Sequence, residues 1–103
     1  MPLSAGDRAL ALELKERLAG LGELVEFRVF GPRLRGDEAR DMDVWAVFAT
    51  VDGTLQMQVD AACIAVGFEN GVTLCPLISS QNEASSPDAP PIVQKIRSEG
   101  VQI

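Results

Sequence analysis

The 103-residue chain contains no histidine, so it cannot build a histidine-ligated zinc site or use histidine as a catalytic base. It has only two cysteines, Cys63 and Cys75, and they are not spaced as a Cys-x-x-Cys pair. Both lie in apolar segments, which is typical of free buried thiols in a reducing compartment. The sequence therefore excludes zinc sites and histidine-based catalysis.

Basic residues are also scarce. Nine lysines and arginines stand against 15 aspartates and glutamates, giving a net charge of -6. This acidity argues against general nucleic-acid binding and against an anionic membrane as a partner. The N-terminal segment has no long apolar run of the kind found in signal peptides or spanning helices. We therefore expect a cytoplasmic protein that holds any polyanion at a local site.

The length and a hydrophobic fraction of 47% suit one domain over residues 1–103 with its own core. Ser4 is a candidate N-cap for a first helix over about residues 5–20. The leucines that predict this helix, at spacings of three and four, are Leu10, Leu14, Leu18 and Leu21. An alternating pattern over residues 24–30 then predicts a strand with Val25, Phe27 and Val29 on its buried face.

The run "VWAVFATV" predicts a central strand that is covered on both faces and ends at a turn formed by Asp52 and Gly53. The next segment, up to Gly71, carries two apolar stripes, which predict a well-buried helix. These stripes are Leu55, Val59, Ala62 and Val66, and Met57, Ala61, Ile64 and Phe68. "VTLCPLIS" predicts a third strand, with Pro76 at an edge or a bulge. "SQNEASSPDAPP" predicts a loop before a closing helix, so the fold class is α/β.

The most highly charged stretch, "FGPRLRGDEARDMDVWAVF", ends in a pair of aspartates at the start of the central strand. Side chains at positions i and i+2 of a strand project from the same face, so Asp41 and Asp43 are neighbours. Two adjacent carboxylates repel each other unless a cation lies between them. Oxygen ligands of this kind, few and open to solvent, suit Mg²⁺ or Mn²⁺ bound together with substrate phosphates.

Two glycines in the same stretch, Gly31 and Gly36, allow sharp turns that expose backbone amides to an anion. A short helix that begins near Pro32 would add the positive end of its dipole. Arginine side chains can offset the remaining phosphate charge, and the nearby ones are Arg33, Arg35 and Arg40. Together with the aspartates, this arrangement is typical of metal-assisted nucleotidyl or phosphoryl transfer.

The stretch resembles the signature of the minimal nucleotidyltransferases, small proteins of the DNA polymerase β-like superfamily. That signature runs Gly-Ser, then Arg-Gly, then Asp-x-Asp at the start of an apolar strand. The residues that match it are Gly31, Arg35, Gly36, Asp41 and Asp43. The order of the predicted elements resembles the family over nearly the whole chain. The resemblance implies a nucleotidyltransferase fold with a small mixed sheet of three to four strands packed against helices.

The resemblance also implies transfer of AMP from ATP to a protein, with Asp41 and Asp43 as catalytic ligands of Mg²⁺ or Mn²⁺. The nucleotide-binding positions that it implies are Gly31, Pro32, Arg33, Arg35 and Gly36. Many members of this family are antitoxins that adenylylate a tyrosine of a helical HEPN-type toxin. A protein of that type is the partner expected here, while the sequence leaves open whether the chain also forms a homo-oligomer.

The chain departs from the family pattern at two positions. Pro32 stands where the family has serine, and Thr73 falls where the family has a third carboxylate. An alternative is therefore a module that keeps the fold and binds a nucleotide or a protein without chemistry. In a third interpretation the charged stretch is only structural, with salt bridges among Arg33, Asp37, Arg40 and Asp41 holding a crossover.

Overall fold

A computed structural model describes residues 3–35 and 40–103. The helices are α1 (Ala5–Ala19), α2 (Gly53–Asn70), α3 (Gln81–Ser85) and α4 (Pro91–Glu99). The strands are β1 (Leu24–Phe30), β2 (Asp41–Phe48), β3 (Thr73–Ser80) and β4 (Val101–Gln102), and a 3₁₀ turn spans Pro32–Arg35. In the described ranges, no helix is long and apolar enough to cross a bilayer.

The four strands form one mixed sheet in the order β3-β2-β1-β4. β1 is antiparallel to both of its neighbours, β2 and β4, whereas β2 and β3 are parallel. α1 and α2 pack on one face of the sheet, and α3 and α4 pack on the other. The prediction that β2 is central and covered on both faces is therefore confirmed.

Caps explain where the two long helices begin and end. The Ser4 hydroxyl accepts a hydrogen bond from the Asp7 amide at 3.1 Å, which satisfies one free donor in the first turn of α1. Asp52 does the same for α2 by accepting from the Leu55 amide at 2.8 Å. The turn predicted at Asp52 is thus a helix start. α2 ends at Gly71, whose φ of 69° is the left-handed conformation that glycine adopts at little cost.

One residue of β1 breaks the predicted alternation. Leu24 pairs with Phe48 and Glu26 with Val47, so Val25 is an extra residue in a β-bulge. A bulge turns its extra residue away from the regular pleat, and Val25 is exposed while Phe27 and Val29 are buried. The prediction that Val25 lies on the buried face was therefore wrong.

Only one of the two apolar stripes on α2 is buried. The stripe that faces the sheet and α1 contains Leu55, Val59 and Val66, all of which are in the core. In the second stripe, Met57 and Ile64 are each 73% exposed and Phe68 is 89% exposed. The prediction of a well-buried helix was wrong because α2 lies in an outer layer, and no described element packs against its far side.

β3 forms one edge of the sheet, as Pro76 predicted. The Thr73 amide donates to the Arg40 carbonyl at the start of β2, at 3.1 Å. Since amides alternate in direction along a strand, the nitrogen of Pro76 points to the open edge. Proline has no N–H to donate there, so it interrupts the row of groups that another strand could pair with.

Two short elements lie where the sequence predicted other structure. α3 falls within the predicted loop and is held by a capping box. The Ser80 hydroxyl accepts from the Glu83 amide at 3.2 Å, and the Ser80 amide donates to the Glu83 carboxylate at 2.9 Å. The last residues leave the closing helix at Gly100, and Val101 and Gln102 pair with β1 as the strand β4. The predicted loop was therefore wrong in part, and the strand that follows the closing helix was not predicted.

Trp45 joins α4 to the sheet. Its side chain is fully buried, and its indole N–H donates to the Ser79 hydroxyl at 3.0 Å. The Arg97 guanidinium of α4 lies over the ring, 5.2 Å from its centroid, in a cation–π contact. Arg97 also donates to the Ala84 carbonyl at 3.0 Å and pairs with Glu26 at 3.2 Å. These contacts position α4 on β2.

Candidate functional site

The two aspartates of the charged stretch lie on the same face at the start of β2. Met42, between them, is fully buried in the opposite face, while Asp41 is exposed and Asp43 is partly buried. Burial raises the pKa of Asp43 above its ordinary value, and the negative charge of Asp41 raises it further. A cation bound between the two carboxylates would relieve both effects.

The neighbouring strand supplies no third carboxylate. In the parallel register, Thr73 lies beside Asp41 and Cys75 lies beside Asp43. Burial raises the pKa of the Cys75 thiol, and the two carboxylates add to this rise. The described residues contain no group of three or more histidine, cysteine or acidic side chains arranged to hold a metal. Two carboxylates nevertheless fit Mg²⁺, which keeps several waters and shares its coordination with substrate phosphates.

Gly31 ends β1 directly against Asp43. Its φ is +91°, and a Cβ at this position would overlap with Oδ2 of Asp43 and lie 3.2 Å from its Cγ. Only glycine combines this backbone conformation with so close an approach. The short helix predicted near Pro32 is present as the 3₁₀ turn, in which the Leu34 amide donates to the Gly31 carbonyl at 3.1 Å. The glycine therefore sets the distance between the turn and the carboxylate.

Arg33, which was predicted to counter phosphate charge, forms an ion pair with Asp7 of α1. Its Nε and Nη2 each donate to a different carboxylate oxygen of Asp7 at 2.9 Å. Both side chains are about four-fifths buried, with exposures of 20% and 18%. The hydrogen bond from Arg33 lowers the pKa of Asp7. The pair thus ties the 3₁₀ turn to α1, and Asp7 balances the charge of Arg33.

Other predicted residues of the stretch are not all described. Gly36 and Asp37 lie outside the described residues, and of Arg35 the structure describes only the backbone. The salt-bridge interpretation placed Arg33 with Asp37 and Asp41, whereas the ion pair that the structure shows for Arg33 reaches Asp7. Sequence spacing could not reveal this pair, because its members are 26 residues apart.

We expect the bidentate pair to contribute about 1–2 kcal/mol to the free energy of unfolding, because its hydrogen bonds are charged and mostly shielded from water. A double-mutant cycle of Asp7→Asn and Arg33→Gln, followed by urea unfolding, measures this coupling. Since the folded-state pKa of Asp7 is below its unfolded value of 3.8, the contribution is present above that pH and is lost as pH falls through the folded pKa. The exposed Arg8→Gln serves as control, and a coupling near zero would contradict the assignment.

A cleft of about 230 Å³ opens between the end of β1, the 3₁₀ turn and α4; we call it the α4 cleft. Its lining residues are Phe30, Gly31, Pro32, Asp43, Ile92, Lys95, Ile96 and Glu99. Lys95 is the basic residue among them, and in the described part of the chain no carboxylate oxygen lies within 4.0 Å of its Nζ. The cleft brings three predicted residues, Gly31, Pro32 and Asp43, together with a cation.

Sequence reasoning missed the contribution of α4. Helical spacing shows that Ile92, Lys95 and Glu99 share one face, which is a signal present in the sequence. It does not show that this face meets Asp43, because the packing of α4 depends on Trp45 and Arg97, distant contacts that periodicity cannot reveal.

No protein-family model matches the chain, and no curated protein sequence matches it. A search of solved structures finds a candidate nucleotidyltransferase from Sulfolobus solfataricus, with a TM-score of 0.52 and 21% sequence identity. The match covers 91% of this chain and 76% of the other. At this identity the likeness concerns the fold alone. Together with the mixed four-stranded sheet and its helices, it confirms the predicted α/β nucleotidyltransferase fold.

Proposed function

We propose that the protein is a nucleotidyltransferase that transfers AMP from Mg-ATP to a protein acceptor. The observation that supports this most is the α4 cleft, which brings Gly31, Asp43 and Lys95 to one place. Glycine admits a phosphate close to the backbone, the carboxylate faces a cation, and lysine offers a charge to phosphate oxygens. The fold shared with a candidate nucleotidyltransferase agrees with this proposal.

The size of the α4 cleft suggests which part of the nucleotide it would hold. Its volume of about 230 Å³ is below the roughly 300–1,000 Å³ of most small-molecule pockets. It would enclose phosphates and leave the nucleoside at its mouth. Lys95 would then replace Arg33 as the cation that counters the phosphate charge, because Arg33 is paired with Asp7.

Asp41 and Asp43 are the residues that would hold Mg²⁺ or Mn²⁺. When bound, the metal would neutralise phosphate oxygens and favour loss of pyrophosphate. Burial raises the pKa of Asp43 and the charge of Asp41 raises it further, and a cation held by both carboxylates would offset this cost of ionisation. Gly31 keeps the backbone close to Asp43, so phosphates in the cleft would lie next to a metal held there.

For the acceptor we propose a hydroxyl group of a helical HEPN-type protein, in an antitoxin role, as the family resemblance implies. In this transfer the acceptor oxygen forms a bond to the α-phosphorus, the bond to the bridging oxygen breaks, and pyrophosphate leaves with the electron pair. The hydroxyl proton must pass to a base. Thr73 cannot accept this proton, and Asp41 is proposed as a metal ligand, so water at the solvent-exposed edge of the site would take it.

One observation favours a second function. The register places Thr73 beside Asp41, where a third carboxylate would act as general base, and loss of such a base costs about 100- to 10,000-fold in rate. The alternative is a nucleotide-binding or protein-binding module with little or no transfer activity. The two functions differ in whether labelled AMP reaches a partner protein.

Calorimetric titration with Mg-ATP tests the proposed site. We expect Lys95→Met to weaken binding about tenfold, equivalent to about 1.4 kcal/mol, because a phosphate contact is lost, and Lys95→Arg to retain most of the affinity. Arg8→Gln, which removes one exposed positive charge from α1, is the matched control and should leave affinity unchanged. Absence of Mg-dependent binding to the wild-type protein would overturn the proposal.

A further inference from the structure

The second apolar stripe of α2 is exposed to solvent. Met57, Ile64 and Phe68 are between 73% and 89% exposed and lie along one side of the helix. At 1.5 Å per residue, the stripe is roughly 16 Å long. Solvent-exposed side chains of this size, grouped on one helix face, mark an interaction surface.

A groove runs beside the stripe. Ile64 and Phe68 form one wall of a depression of about 520 Å³, and Val72 and Leu74, at the start of β3, lie on the other side. The depression is shaped by a helix on one side and a strand on the other. Such grooves commonly receive the apolar face of an amphipathic helix, which inserts residues at helical spacing.

The adjacent edge of the sheet makes strand addition a poor alternative. Pro76 lies in the middle of β3, and its nitrogen points to the open edge because the Thr73 amide points to β2. A strand that paired here would find one donor missing at the centre of the row. Association at this side of the molecule would therefore rest on the side chains of α2.

The charged residues beside the α2 stripe indicate what kind of partner would dock there. α2 contains two acidic residues, Asp60 and Glu69, and no lysine or arginine. Asp60 lies on α2 between Met57 and Ile64, and among the described residues no cation approaches it within 4.0 Å. Glu69 adjoins Phe68 and pairs with Arg17 at 3.6 Å. Among the described residues, Asp60 is therefore the acid at the border of the stripe whose charge no cation balances, since Arg17 lies beside Glu69.

We infer that the α2 stripe is a docking surface for an amphipathic helix of another protein whose apolar face is bordered by lysine or arginine. A second copy of this chain is a poorer occupant, because α2 has acidic residues but no lysine or arginine, so two α2 stripes cannot form ion pairs with each other. α2 and α4 cover opposite faces of the sheet. Docking at the α2 stripe is separate from the proposed nucleotidyl transfer, so nucleotide titrations do not test it.

Fluorescence anisotropy with two synthetic helical peptides tests the inference on the full chain. Both peptides carry leucine on one face. The polar face carries lysine in the first (the lysine peptide) and glutamate in the second (the glutamate peptide). We expect the lysine peptide to bind at least about tenfold more tightly than the glutamate peptide. We expect the double variant Ile64→Gln with Phe68→Gln to lose at least about tenfold in affinity for the lysine peptide. Leu12→Gln, at a residue of α1 that is 45% exposed, should retain it.

A charge reversal gives a second, independent measurement. Asp60→Lys should lower the affinity for the lysine peptide and raise the affinity for the glutamate peptide. A non-specific loss of structure would not raise either affinity. Equal binding of the lysine peptide to the wild type and the glutamine double variant would overturn the inference, since it would show attraction by net charge alone. A wild-type dimer in sedimentation that the double variant dissociates would overturn it in favour of self-association.

Discussion

Replacing Asp41 and Asp43 together by asparagine is expected to abolish Mg-dependent nucleotide binding while making the unliganded protein more stable. Loss of residues that only support metal ligands costs about 10- to 100-fold in metal affinity, so loss of both ligands should cost at least about 100-fold. Stability should rise because burial and the neighbouring charge of Asp41 both disfavour the ionised form of Asp43. Calorimetry with Mg-ATP and urea unfolding without it measure the two effects.

The contribution of Asp43 to the free energy of unfolding depends on pH with a defined sign. The pKa of Asp43 in the folded protein is above its unfolded value of 3.8. Between these two values the folded state binds more protons, so the free energy of unfolding falls as pH rises through that range. Above it, the destabilisation is fully present. In the asparagine variant, Asp43 no longer contributes to the fall in the free energy of unfolding with rising pH. At neutral pH, Mg²⁺ should stabilise the wild type and not this variant.

A matched control separates the site from net charge. Glu13→Gln with Asp88→Asn also removes two negative charges, at exposed positions of α1 and of the segment before α4. This variant should bind Mg-ATP like the wild type. If it gained as much stability as the Asp41 and Asp43 variant, general charge repulsion would account for the result and the assignment of Asp43 would be contradicted.

Gly31→Ala is expected to damage both the fold and the site. Its φ of +91° costs a residue with a Cβ about 1–2 kcal/mol. The new methyl group would also overlap with the Asp43 carboxylate, which must rotate away. We therefore expect a lower urea midpoint and at least about a tenfold loss of Mg-ATP affinity, because one metal ligand is displaced.

Gly71 separates these two causes. It also has a positive φ, 69°, but a Cβ there would meet nothing within 4 Å. Gly71→Ala should therefore show the backbone cost alone and leave nucleotide binding intact. Combining Gly31→Ala with Asp43→Ala should remove the overlap, so the two substitutions should be less than additive in stability. Full additivity would show that the alanine does not press on Asp43.

Much of the fold could be predicted because the relevant signals are local. Ser4 marks the start of α1, Gly71 marks the end of α2 and Pro91 begins α4, each for a reason that depends only on adjacent backbone. Pro76 predicted an edge or a bulge for a similarly local reason, and β3 is an edge strand. The pairing of Asp41 with Asp43 on one face follows from the pleat of β2. Here, sequence and structure agree.

What could not be predicted depends on distant packing. Periodicity shows that α2 has two apolar faces, but it cannot show that only one of them has a neighbour, so Ile64 and Phe68 were misassigned to the core. The pair of Arg33 with Asp7, and the cleft that Lys95 and Asp43 both line, join segments that are far apart in sequence. The capping box of Ser80 and Glu83 is different: it is a local signal within a stretch whose serine and proline content favoured a loop.

The buried Trp45 gives the protein an optical reporter. The chain has one tryptophan and no tyrosine, so its near-ultraviolet emission has a single dominant source. That indole is held between the hydroxyl of Ser79 and the guanidinium of Arg97, which belongs to the helix that carries Lys95. A ligand that displaces α4 changes the polarity and the charge around the ring. Occupancy of the cleft can therefore be followed by fluorescence without a label.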